Sequence, residues 1–249
     1  SVFYGRAILP EPLMVFLSIL AVFLTVVCLR MKGNPVFLQW ISAFAASCAV
    51  LVKPTAVFLL VPVGFGMLMN VSRKKHAIVQ MLLYALEVAF PVWWWRTWIS
   101  QFPEGIPVFN WLFNEGNIRF KGAWFYWLFA ERIGKLILGY WGLLPFGLGL
   151  LQSGSGGQKH IIRSMTAGML LYLVIIARGN VQHDYYQIVL LPLVSMITGL
   201  GLTSVLRDKR TSRIARYTVS AVAVLFMLAF SWYTVRTYYW INRSEIVEA

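Results

Sequence analysis

Hydrophobic residues in this chain fall in long blocks, without the strict alternation that marks a half-buried strand. Eight blocks approach the ~20 mainly apolar residues that a helix needs to cross a bilayer. They cover about 12–30, 36–52, 54–71, 78–95, 132–151, 161–177, 187–206 and 217–236. Backbone groups cannot stay unpaired in lipid, so such blocks must be helices, and a barrel would show short alternating segments instead. The pattern predicts an all-α membrane protein, a polytopic transmembrane helix bundle of about eight spans, with 1–249 forming a single transmembrane domain. Only Lys53-Pro54 separates the second and third blocks. Proline there stops a helix, leaving either a tight hairpin or one kinked element.

The polar connections set an orientation. With eight spans, alternate connections share a side. One set holds twelve basic residues, including Arg73-Lys74-Lys75 and Arg207 to Arg216, against the single acid Asp208. The other holds ten basic residues against seven acids, and Glu87 lies inside a span. Short basic connections belong on the cytoplasmic side. Both ends of the chain and the 96–131 loop are therefore expected to face outward. Two connections are more than turns. Gln152 to Gly157 reads as a flexible linker on the inner side. The outer loop 96–131 is crowded with Trp111, Phe113, Phe120, Trp124, Phe125, Tyr126, Trp127 and Phe129, as expected of a segment lying in the headgroup layer.

Composition agrees with the blocks. The chain is 59% hydrophobic and 12% charged, whereas soluble domains run near half apolar and a quarter charged. A water-soluble enzyme, a disordered tail and a disulfide scaffold are excluded. The net charge of +13 would suit nucleic acid, but it is divided among separate inner connections without one basic face, so no nucleic-acid partner is expected. Cys28 and Cys48 lie inside apolar blocks, where no disulfide is expected. The chain opens on Ser1 without a signal segment and stops shortly after its last apolar block, so it is expected to be a piece of a longer protein lacking the N-terminal part. The expected location is a multi-pass position in a bacterial inner or plasma membrane.

Candidate chemistry gathers at the outward ends. The first stretch is Tyr4-Gly5-Arg6-Ala7-Ile8-Leu9-Pro10-Glu11-Pro12, running into a span. Arg6 and Glu11 there read either as a snorkelling cation and a dipole-matched acid, or as site residues. The second is Lys53-Pro54-Thr55, where the ammonium is either an interfacial anchor or a phosphate-binding charge. The third, Arg178-Gly179-Asn180-Val181-Gln182-His183-Asp184-Tyr185-Tyr186, packs six kinds of polar group into nine residues, more than a plain connector needs. His183 and Asp184 offer two metal ligands, short of a full coordination set, so a divalent metal stays open. Glu87 sits in mid-span, either functional or paired inside the bundle.

These stretches resemble a known group. Tyr4 to Leu13 is similar to the "S-R … P-D/E" lead-in to a transmembrane helix in polyprenyl-phosphate-dependent glycosyltransferases of the protein O-mannosyltransferase and aminoarabinose-transferase group. Ala49-Val50-Leu51-Val52-Lys53-Pro54-Thr55 resembles that group's "L-x-K-(G)-P" hairpin, and His183-Asp184-Tyr185-Tyr186-Gln187 with Leu190-Leu191-Pro192-Leu193 its "H-x-Y-Y-x-x-x-L-P" motif. The resemblance implies a GT-C-like fold (glycosyltransferase family 39-like) and transfer of a sugar from a polyprenyl-phosphate donor to a hydroxyl on an acceptor protein, lipid or glycan, at the outward face. It also implies that Arg6, Lys53, Arg178, Tyr185 and Tyr186 bind the donor phosphate. Gln182, His183 and Asp184 would stand nearby, and Glu11 would support catalysis or hold a metal. The group's principal base lies in a first outer loop, upstream of Ser1, so 1–249 alone is expected to be inactive. Where the group often has Asp, this chain has Glu11. A lipid-linked glycan ligase or polymerase, a polytopic transporter and a non-enzymatic membrane scaffold are the rival functions.

Overall fold

The computed structural model describes residues 9–31, 35–71, 77–106, 109–152 and 156–237. Every regular element among them is helical. In chain order the principal helices are α1 (Pro10–Arg30), α2 (Val36–Val52), α3 (Val61–Val71), α4 (Ala77–Ile99), α5 (Leu143–Leu151), α6 (Gly156–Ile175), α7 (Leu191–Arg207) and α8 (Arg213–Val235). Shorter pieces join them. These include a single turn at Ala56–Leu59, 3-10 turns between 103 and 120, a π-helix at Tyr126–Ile137, a short helix at Ala177–Gln182 and a 3-10 segment at Asp184–Leu190.

Four helices are long and apolar enough to cross a membrane: Pro10–Arg30, Ala77–Ile99, Asp184–Arg207 and Arg213–Val235. Their outward faces are apolar, as with Leu82, Leu86, Phe90, Trp93 and Trp94 on α4, a surface suited to lipid rather than water. The protein is a membrane-embedded helical protein. The expected count of eight spans, and with it a GT-C-like bundle, is corrected to these four among the described residues. The block 36–52 is a helix with those bounds but only 17 residues long. The block 54–71 is interrupted at Leu60, because Pro62 has no N–H to donate to the Phe58 carbonyl. The block 132–151 is cut by a turn in which Gly139 and Tyr140 both take positive φ. The block 161–177 lies in α6 as far as Ile175, and the opening turns of α6 carry Lys159, His160 and Arg163, which shorten its apolar part. Gly156 and Gly157 also belong to α6, so the expected linker is shorter than 152–157; residues 153–155 lie outside the described residues.

The chain divides into two compact units. The unit built from 9–118 and 155–193 holds the candidate site. Its core packs α1 against α2, and α2 against α4, through Ala21, Val22, Ala43, Ala45, Ala46, Val63 and Tyr84. Small residues on α2 let the backbones approach closely, the usual solution where lipid gives no hydrophobic drive between helices. A buried hydroxyl cluster sits in this core. Ser42 donates to the Ala21 carbonyl at 2.9 Å and lies 2.8 Å from Thr25 Oγ1 and 3.1 Å from the Tyr84 hydroxyl. In the same unit α6 packs on the Ala56–Leu59 turn. A Cβ on Gly168 would overlap the Phe58 carbonyl oxygen, the oxygen that Pro62 leaves without its helical partner.

The other unit, built from 119–154 and 194–237 among the described residues, carries the second half of the aromatic loop. Within the π-helix, Glu131 accepts from the Tyr126 hydroxyl at 2.9 Å and from Lys135 at 3.1 Å, and Arg132 lies 5.4 Å from the Trp127 ring. Trp141 packs on Phe226 of α8 with ring centroids 4.8 Å apart. Phe120, Phe125, Tyr126 and Phe129 remain exposed.

Candidate functional site

Glu11 stands in the first turn of α1, which starts at Pro10, a residue preset for helical φ and with no N–H to waste. Lys53 is the extended residue that closes α2, since Pro54 pushes the residue before it out of the helical region. The backbone holds it from both sides: Lys53 N–H donates to Ala49, and Ala56 N–H donates to the Lys53 carbonyl. Thr55 Oγ1 approaches Met14 Sδ at 3.5 Å, tying the hairpin to α1. Tyr185 and Tyr186 lie in the 3-10 segment that runs into α7. Pro192 cannot bond the Ile188 carbonyl, and Leu191 N–H takes it in the tighter pattern.

These three stretches converge. Lys53 Nζ donates to Glu11 Oε1 in an ion pair whose carboxylate is fully buried and whose lysine side chain is 17% exposed. The same ammonium lies 3.9 Å from the Tyr186 ring centroid and 5.9 Å from that of Tyr185, within cation–π range. Burial pulls the Lys53 pKa below the usual lysine range, and the hydrogen bond and charge of Glu11 oppose that pull. The second carboxylate oxygen, Glu11 Oε2, is buried without a hydrogen-bond partner among the described residues.

An aromatic wall continues from the tyrosines. Tyr185 and Tyr186 rings are 4.9 Å apart, His183 stacks on Tyr185 at 5.1 Å and meets Tyr186 edge-on at 5.6 Å, and Trp111 meets His183 at 5.4 Å. Trp111 belongs to the 96–131 segment, so the first half of that segment flanks the site. Its Phe113 carbonyl accepts from Arg178 N–H at 2.9 Å. Gly179 lets Tyr186 close in, since a Cβ there would meet Tyr186 Cε2 at 2.8 Å and Leu112 Cδ2 at 3.0 Å.

Not every expected residue joins the cluster. Arg178 makes its hydrogen bonds elsewhere: with the Gln182 amide turned to present its oxygen, that oxygen accepts from the guanidinium at 3.0 and 3.1 Å. Asp184 opens the 3-10 segment in its first turn. Arg6 lies outside the described residues. No group of three His, Cys, Asp or Glu able to hold a metal occurs among the described residues. Glu87 lines a groove of ≈ 560 Å3 between α2 and α4, with Trp40, Tyr84 and Phe90. The Tyr84 hydroxyl bonds Ser42 rather than Glu87.

Three positioning residues carried no assigned role in the sequence. Tyr172, fully buried on α6, donates to the Tyr186 carbonyl at 3.1 Å. Gln187 Nε2 donates to the Asn180 carbonyl at 3.0 Å and to Asn180 Oδ1 at 3.1 Å, while Asn180 Nδ2 donates to the Ile176 carbonyl at 2.9 Å. Together they clamp the 176–187 turn from inside. Gln187, an amide at the head of an apolar block, was the available signal.

The comparisons with known proteins find no family model, no curated protein and no solved structure that matches this chain.

Proposed function

We propose that this chain belongs to a membrane glycosyltransferase that moves a sugar from a polyprenyl-phosphate donor to an acceptor hydroxyl at the outward face. One observation carries the reading: Glu11, Lys53 and Tyr185-Tyr186, from three stretches far apart in sequence, meet around a single ammonium at one end of a unit built from apolar helices. In such a transfer the acceptor oxygen bonds to the anomeric carbon as the carbon–oxygen bond to phosphate breaks. The acceptor proton goes to a base, and the phosphate leaves with added negative charge. A preorganised cation beside the leaving oxygen lowers that barrier. An ammonium has three donors. Lys53 uses one on Glu11, and two remain for phosphate oxygens.

The geometry supports a positioning role for Glu11. Its carboxylate is buried beneath Lys53 and away from solvent, so it orients the ammonium rather than meeting an acceptor. Tyr185 and the His183–Trp111 wall offer ring faces and a hydroxyl against which a sugar can pack. Arg6 is the further cation that the resemblance assigns to the phosphate.

The test is turnover of polyprenyl-phosphate-linked sugar by the full-length protein in membranes. Lys53→Ala should lower turnover at least ~100-fold, the scale of losing one electrostatic stabiliser of the transition state. Tyr186→Phe, which keeps the ring over Lys53, should lose far less. Near-wild-type turnover in Lys53→Ala would overturn the role of the ammonium. A pyrophosphate-linked glycan as the better donor would assign the protein to ligase or polymerase chemistry instead.

A further inference from the structure

The opposite end of α1 carries a second polar feature. Glu11 and Arg30 are separated by roughly 28 Å at 1.5 Å rise per residue, so this feature is remote from the Lys53 cluster. Here α1, α3 and α6, all in one compact unit, border a cavity of ≈ 220 Å3. Arg30, Asn70 and His160 line it beside Phe65 and Met69. His160 stacks on Phe65, with ring centroids 5.9 Å apart and planes 29° apart, which holds the imidazole at the rim. Among the described residues, no carboxylate lines the cavity. Neither the Arg30 nor the Asn70 side chain has a hydrogen bond or ion pair to any described residue. In the sequence, positions 32–34, 72–76 and 153–155 hold Lys32, Arg73, Lys74 and Lys75 and no acid.

A single arginine at a helix end is explained by snorkelling. Snorkelling does not explain why Arg30, Asn70 and His160 line one cavity over an apolar floor, with no acid among its described lining residues. Guanidinium offers a planar fork that matches two phosphate oxygens at once. The apolar floor of Phe65 and Met69, at the end of a helix of membrane-spanning length, selects a phosphate that carries acyl chains over one free in water. We propose that this groove binds the phosphate headgroup of an anionic membrane lipid, with Arg30 and His160 on the phosphate and Phe65 and Met69 under the first carbons of its chains. The inference is independent of the sugar-transfer reading, because neither the residues nor the end of the helix is shared.

The experiment is native mass spectrometry of the full-length, detergent-purified protein titrated with phosphatidylglycerol, phosphatidylcholine or inorganic phosphate. Phosphatidylglycerol should be retained at about tenfold lower concentration than phosphatidylcholine, the scale of one or two charge-assisted hydrogen bonds. Arg30→Gln and His160→Ala should each remove most of that preference, with Arg30→Lys intermediate. Arg207→Gln, in the other unit, should leave it unchanged. Thermal unfolding of each variant without lipid shows whether it is folded, and His160→Ala carries the test should Arg30→Gln fail to fold. Equal retention of the two lipids, or wild-type retention by folded Arg30→Gln or His160→Ala, overturns the proposal. Inorganic phosphate competing as well as phosphatidylglycerol also overturns it, by assigning the groove to a soluble anion.

Discussion

Lys53 and Glu11 are coupled by burial as much as by charge. The Glu11 carboxylate has no solvent contact to replace the cation beside it, and removing one partner of a buried pair typically costs ~3–5 kcal/mol. Lys53→Met should therefore destabilise the protein by about 3 kcal/mol, and Glu11→Gln by less, since Lys53 keeps some solvent and two rings. The double variant should lose well under the sum of the two single losses, because neither charge is then left buried alone. Detergent-to-SDS unfolding of all four proteins measures this, and strict additivity would show that the pair is not coupled. At this scale the sequence was informative where residue type is scarce. A lone Lys before Pro, an acid opening an apolar helix and paired tyrosines beside a histidine stand out against 59% hydrophobic residues. Tyr172, Asn180 and Gln187 did not stand out as a clamp. Their partners are the Tyr186, Asn180 and Ile176 backbone carbonyls, and no residue pattern says which carbonyl a side chain will meet.

Among elements, the breaks came from hydrogen-bond geometry that hydropathy does not register. The 54–71 block is apolar throughout, yet Pro62 frees the Phe58 carbonyl and the helix restarts at Val61. That freed carbonyl then meets α6 where Gly168 has no side chain. Gly168→Ala should cost about 2 kcal/mol, in the range of overpacked cores, because backbone and not a flexible side chain stands in the way. Thermal unfolding in detergent checks it. A loss under ~0.5 kcal/mol, typical of surface sites, would mean that the contact is not tight. The 132–151 block shows the same limit. Gly139, Gly142 and Pro145 are visible in the sequence, but the surrounding Leu, Ile and Trp keep the window average high. Length alone also misleads: 36–52 is continuous in both readings and still falls short of a span.

Across the whole molecule, the charge asymmetry makes an orientation testable without the eight-span count. Cysteines placed at Ser72 and Thr211, next to the basic clusters, should be labelled from the cytoplasmic side, and one at Ser100, just past the end of α4, from the opposite side. Labelling of Ser72 and Ser100 positions from the same side would show that α4 does not cross. Composition and block length by themselves determined that the chain is helical and membrane-embedded, because lipid leaves backbone groups no other partners. They also located the four long helices to within a few residues, since a span must be both long and apolar. Tertiary structure alone decided which apolar blocks are continuous and which polar residues meet. It set Glu11 beneath Lys53 and the tyrosine rings beside it, and it turned Arg178 toward Gln182 and the Phe113 loop. The reason is range: hydropathy is summed over neighbours along the chain, whereas an ion pair between positions 11 and 53, or a carbonyl against a glycine at 168, depends on helices packed from distant parts of it.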